Sequence, residues 1–190
     1  ESGIRAWAEE PGEYYHSFDG SYGGLWRRNG RPPQLLAGVG FSAQGKFEGS
    51  YYRRTTESRA PDLAWMFEGI EDQEILGNFG FSGGGAAGFE LDRADVRLGT
   101  PEEVRVVASS ENHTSSFVLV PEEMLTHITN WPGEEEQQKL IRSDIVYFQT
   151  PSGGEVFSTG SITFCGSLPW NDFDNNISRL LENVIRRFLQ

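Results

Sequence analysis

The strongest hydrophobic rhythm lies at the C-terminal end of the chain. Ile177, Leu180, Leu181, Val184, Ile185, Phe188 and Leu189 recur at three- and four-residue intervals. On a helix these positions form one continuous apolar stripe, predicted to face the core. Asp174-Asn175-Asn176 supplies N-cap chemistry ahead of the stripe, because their short side chains accept from the first unpaired backbone N–H groups. Glu182 precedes Arg186 by four residues, and Arg186-Arg187 fall at the negative end of the helix dipole. An amphipathic helix running to about Leu189 therefore closes the domain. Each large side chain it buries is worth roughly 1.5–3 kcal/mol.

Just upstream the period changes. Ile145–Gln149 and Glu155–Cys165 are rich in β-branched and aromatic residues and flank Pro151-Ser152-Gly153-Gly154. This pattern predicts a hairpin. Further strands are expected at Ile4–Ala8, Ser50–Arg54, Leu63–Phe67, Val104–Ala108 and Phe117–Val120. Asn29-Gly30 and Arg31-Pro32-Pro33 signal turns. Short helices are expected after Pro121-Glu122-Glu123 and over Glu134–Ile141. The fold class is a mixed α/β (α+β) domain, β-rich and spanning residues 1–190 without an internal linker or repeat.

Composition narrows the partners. The chain has 190 residues, enough for one domain with a real core, and 23 Gly and 9 Pro demand frequent turns. Its net charge of −12 repels phosphate backbones, which argues against nucleic acid. Only Lys46 and Lys139 among the 16 basic residues are Lys, so the Arg residues are expected mainly as carboxylate partners. Cys165 is the sole cysteine. An internal disulfide and a thiolate zinc cage are thereby excluded, and a reducing cytoplasmic compartment fits. No apolar run approaches the ~20 residues of a membrane span. The chain opens on Glu1 rather than Met, so it is expected to be a fragment of something longer.

Local motifs leave the chemistry open. Gly83 to Gly88 matches GxGxxG and Gly38 to Ala43 the GxGxxA variant, yet neither leads into a good helix. Dinucleotide binding needs that strand–helix context, so both are read as tight glycine turns. Cys165 lacks a strand–elbow–helix setting and is expected to be buried and inert. His16 lies in a polar, aromatic loop with Tyr14, Tyr15 and Asp19, a possible set of oxygen and nitrogen ligands. His113 occupies a similar loop, and His127 a short helix. Glu68 and Glu90 each sit beside flexible backbone, where general-base work or a salt bridge to Arg93 or another Arg could equally be arranged. Five Trp also raise a carbohydrate-binding module, although Trp65 is expected in the core.

Longer strings carry a resemblance. Tyr15-His16-Ser17 is followed by Tyr22-Gly23-Gly24-Leu25-Trp26-Arg27, then Gly38-Val39-Gly40-Phe41 and Met66-Phe67-Glu68-Gly69-Ile70. Gly83-Gly84-Gly85-Ala86-Ala87-Gly88-Phe89-Glu90-Leu91-Asp92-Arg93 and Leu98-Gly99-Thr100-Pro101 continue it. Gly160-Ser161-Ile162, Cys165-Gly166-Ser167-Leu168 and Asp174-Asn175-Asn176-Ile177-Ser178-Arg179 close it. Together these resemble the C-terminal region of the N,N-dimethylformamidase large subunits, over nearly the whole chain.

The resemblance implies an amide hydrolase that forms dimethylamine and formate, with one iron bound by two tyrosines and a glutamate. Those ligand motifs belong upstream, so no iron is expected on this chain alone. It further implies the later part of a glutamine-amidotransferase-like domain. The implied partners are the rest of the large subunit, a small helical subunit, further copies of the chain and a small amide substrate. Glu90 best matches an active-site carboxylate, with Glu68 second and His16 as a further proton carrier. The alternative is a structural, subunit-interface domain in which Glu90 is ion-paired to an Arg.

Overall fold

A computed structural model describes residues 26–120 and 133–190. Its backbone is a curled antiparallel sheet dressed with short helices. The helices are α1 (Pro33–Ala37), α2 (Glu134–Leu140), α3 (Phe164–Ser167) and α4 (Asn176–Phe188). The strands are β1 (Gly40–Arg54), β2 (Ala87–Arg93), β3 (Arg105–Glu111), β4 (Val118–Leu119), β5 (Asp144–Gln149) and β6 (Glu155–Ser158). The sheet order is β2-β1-β3-β5-β6, with β4 also on β1. The long β1 serves two neighbours in succession along one edge. Ala43 and Gln44 face β4, then Tyr51 to Arg54 face β3. Its other edge carries β2 from Gly40 to Ser50, beyond which Tyr52 bridges Leu76. One bulged strand shared in this way makes the sheet curl.

The main core lies under the second half of β1. Tyr52, Leu76, Val107 and Ile145 from the sheet side meet Leu63 and Met66, and α4 closes the layer with Ile177, Leu180 and Val184. Asn175 caps α4, accepting from the backbone N–H of Ser178 at 2.9 Å. Arg186 donates to Glu182 at 2.6 Å. The apolar stripe outruns the core, however. Ile185, Phe188 and Leu189 are exposed, although Arg187 in the same turn still reaches Glu155 and the Trp65 ring.

Two strand expectations are corrected. Leu63–Phe67 lies in a 3-10 helix, Pro61–Phe67. Pro61 starts it at a position where a missing N–H costs nothing, and Leu63, Met66, Phe67 and Ile70 turn inward at helical spacing. Glu155–Cys165 is strand only as far as Ser158. A left-handed Gly160 (φ 65°) then reverses the chain into α3. Phe164 enters the core from that short helix, and Cys165 is exposed rather than buried. The hairpin joining β5 to β6 and the helix at Glu134 stand as expected. The strand at Ile4–Ala8 and the helix after Pro121 lie outside the described residues.

Arginine does serve the carboxylates. Arg59 meets Asp72 at 2.9 Å, Arg142 meets Asp144 at 3.1 Å, and Arg105 bridges Glu57 and Asp62. Arg93 is fully buried and donates to Leu140 O at 2.6 Å and to Asp95 at 3.0 Å. Burial raises the Asp95 carboxyl, but hydrogen bonds from Arg97 and Arg93 outweigh it and hold the group below its usual value. Among the described residues no helix is long and apolar enough to cross a membrane.

Candidate functional site

Strand β2 carries the site. Leu91 and Arg93 point inward and are fully buried, so the alternation of a strand turns Glu90 and Asp92 to the opposite face. The approach to Glu90 is distorted. Phe89 has φ 60°, in the left-handed region, at a cost of about 1–3 kcal/mol for a non-glycine residue. Gly49 pairs with Gly88 and Gln44 with Glu90, so Gly45 to Glu48 all bulge opposite Phe89. Such bulges re-aim the side chain that follows them. Gly88 has to be glycine, because a Cβ there would collide with the Glu48 carbonyl of β1.

Glu90 and Asp92 line a cavity of about 480 Å³ with Ala37, Val39 and the segment Phe157 to Ile162. The floor of that segment is tied to β2 on both sides of Glu90. Ser161 Oγ donates to Gly88 O at 3.0 Å and accepts from Gly88 N at 2.8 Å. The Asp92 N–H donates to Gly160 O at 2.7 Å. Glu90 forms no ion pair among the described residues. Arg93, its nearest arginine in sequence, is committed to Asp95 and Leu140 instead.

Of the sequence-predicted site residues that are described, Glu90 alone lies in this cavity. Glu68 ends the 3-10 helix Pro61–Phe67 and is exposed, and its carbonyl accepts from Asn183 Nδ2 at 2.9 Å. It follows a helix rather than the expected strand and is not among the lining residues. His16, with Tyr14, Tyr15 and Asp19, lies outside the described residues, as does His127. His113 sits elsewhere, packed on Phe117 with ring centroids 4.7 Å apart and Nε2 2.6 Å from Ser110 Oγ. Burial pushes its pKa down to about 4. Trp65 packs against the core as expected, edge-on to Tyr147. No group of three or more His, Cys, Asp or Glu able to hold a metal occurs among the described residues.

Asp92 and Ser161 were not singled out from the sequence. Asp92 was detectable, since it stands two residues beyond Glu90 on a strand. Ser161 was not, because its contact with Gly88 spans 73 residues.

The family described as "N,N-dimethylformamidase beta subunit-like, C-terminal" matches residues 1–176. The chain belongs to that family. It is also 40% identical over all 190 residues to the N,N-dimethylformamidase beta subunit of Alcaligenes sp. and, equally, to that of Paracoccus aminophilus. The chain spans about a quarter of the length of these curated relatives. Three strings that carry the likeness to dimethylformamidase subunits meet at the Glu90 cavity. Val39 comes from Gly38-Val39-Gly40-Phe41, Glu90 and Asp92 from the glycine-led string, and Ser161 from Gly160-Ser161-Ile162. Segments distant in sequence thus line one space.

Proposed function

We propose that this chain is the C-terminal region of an amide hydrolase resembling N,N-dimethylformamidase, and that it contributes Glu90 to a composite active site. The convergence of the three family-like strings on the Glu90 cavity carries this reading. A carboxylate aimed into a cavity beside distorted backbone suits proton transfer. Glu90 would accept a proton from the attacking water and return it to the departing amine nitrogen, a role worth roughly 10²–10⁴-fold in rate.

The described residues do not fit a resident iron, because Glu90 and Asp92 have no third metal-ligating neighbour. The family resemblance implies that the iron ligands belong to the upstream part of the full-length protein, and no step is routed through iron here. The same reading makes the parent a cytoplasmic enzyme in which this chain completes a glutamine-amidotransferase-like domain. It would pack against the rest of the large subunit, a small helical subunit and further large subunits. Glu68 and His16 stay secondary candidates for proton handling. The runner-up, a structural and subunit-interface domain, required Glu90 to be held by an arginine, and Arg93 is turned to other partners.

The test is Glu90→Gln in the full-length enzyme. Turnover of dimethylformamide should fall by about 10²–10⁴-fold, while iron content and thermal midpoint hold. An unchanged kcat would overturn the catalytic role. A lowered midpoint with normal kcat would favour the interface reading.

A further inference from the structure

The turn that bounds the Glu90 cavity is held from below by two side chains that never reach the cavity. Tyr52, on β1, is fully buried. Its hydroxyl donates to Thr159 O at 2.7 Å. Ser143, also fully buried, donates to Gly160 O at 2.6 Å. The two hydroxyl oxygens lie 2.8 Å apart, hydrogen-bonded with either as donor, so their two protons are shared between this contact and two consecutive carbonyls. Gly160 is left-handed at φ 65°, and a Cβ there would strike the Asp144 carbonyl and the Ser143 hydroxyl. The turn is therefore pressed onto its support with no side chain between.

What this turn does next matters for Glu90. Gly160 O receives the N–H of Asp92, and Ser161 Oγ both donates to and accepts from Gly88. The two backbone positions that bracket Glu90 are thus bound by one turn, and that turn is bound by Tyr52 and Ser143. Without the Tyr52 hydroxyl, Thr159 O keeps no side-chain donor among the described residues closer than Ser143 Oγ at 3.5 Å.

We infer that Tyr52 is a positioning residue for the Glu90 carboxylate, acting through the Thr159–Ser161 turn. The inference rests on the reading of Glu90 as the proton carrier. Tyr52 touches no reacting atom. Its hydroxyl sets where β2 places Glu90, and small misplacements of a catalytic group cost up to about 10²-fold in rate.

The experiment is a double-mutant cycle on the full-length, assembled enzyme, comparing Tyr52→Phe, Glu90→Gln and the pair, with dimethylformamide as substrate. Tyr52→Phe keeps the ring that fills the core and removes one oxygen. Its kcat is expected to fall by about 5- to 50-fold, with KM and iron content near wild type. In the Glu90→Gln background the same change should cost less than about 2-fold, because residues acting through one group are not additive. Ser143→Ala, which removes the second hydroxyl of the clamp, should repeat the pattern if Tyr52→Phe fails to assemble.

Full additivity, or a wild-type kcat in both clamp variants, overturns the inference while leaving the role of Glu90 intact. Should Glu90→Gln itself leave kcat unchanged, the proposed function fails and the positioning role falls with it.

Discussion

His113 ties the stability of the fold to pH, and its size can be worked out from the hydrogen-bond pattern. Ser110 Oγ accepts from the backbone N–H of Ser143 at 2.7 Å, which leaves its own proton for His113 Nε2 at 2.6 Å. The imidazole is thereby kept as an acceptor at Nε2, and its Nδ1 is buried without a partner among the described residues. Burial lowers the pKa from 6.5 to about 4, with nearby Glu48 offsetting only part of the effect. Below pH 6.5 the unfolded chain takes up a proton that the folded chain refuses until about pH 4. Stability must therefore fall as pH drops through that window. The loss approaches about 3 kcal/mol at the acid end and is about 2 kcal/mol at pH 5.

Urea unfolding at pH 7.5 and pH 5.0 measures this, with His113→Gln as the control for other titrating groups. The glutamine amide still offers Ser110 an oxygen but binds no proton. Wild type should lose about 2 kcal/mol more than the variant between the two pH values. Equal losses would refute the argument. So would an NMR titration placing the His113 pKa at or above 6.5.

Two further outcomes follow from single contacts. Asn175→Ala removes the cap on Ser178 N and the bonds to Leu168 O at 3.0 Å and Trp170 O at 2.7 Å. It should cost about 1–2 kcal/mol, read as a lower thermal midpoint with turnover retained, and an unchanged midpoint would deny the cap any weight. Gly88→Ala should force β2 away from β1 at a cost of about 1–3 kcal/mol and lower turnover in the full-length enzyme. Wild-type activity there would show that the close approach at Gly88 does not set the position of Glu90.

How much was legible depended on how local each signal was. The α4 helix was read well because its period, cap and charge pair all lie within fifteen residues or so of sequence. Its end falls where expected, but the burial of Ile185, Phe188 and Leu189 was overestimated, because periodicity marks an apolar face and says nothing about where the opposing core stops. Leu63–Phe67 was misread since a short apolar run fits a strand or a buried helical turn equally, and Pro61 was the overlooked arbiter. Only Ser50–Arg54 of β1 was seen, because the strand's first half bulges and interrupts the alternation. At the site, Glu90 was picked out with Glu68 from its flexible surroundings and ranked first by family likeness. The turn beneath it joins residues 73 and 107 positions apart, and no window along the chain contains that pairing.

The two serine hydroxyls near Glu90 are already occupied, which bears on the proposed chemistry. Ser161 Oγ is bonded in both directions to Gly88, and Ser158 Oγ donates to Ala37 O at 2.7 Å. A nucleophile must be able to give up its hydrogen bond and swing toward a carbonyl carbon. Ser161 would unpin β2 by doing so, and Ser158 would release α1. Neither is placed to attack an amide without dismantling the wall it belongs to. Glu90, by contrast, follows a strained residue, faces the cavity and has no ion-pair partner among the described residues to compete for its proton. The arrangement therefore fits the proposed proton transfer to and from water rather than covalent attack by either serine.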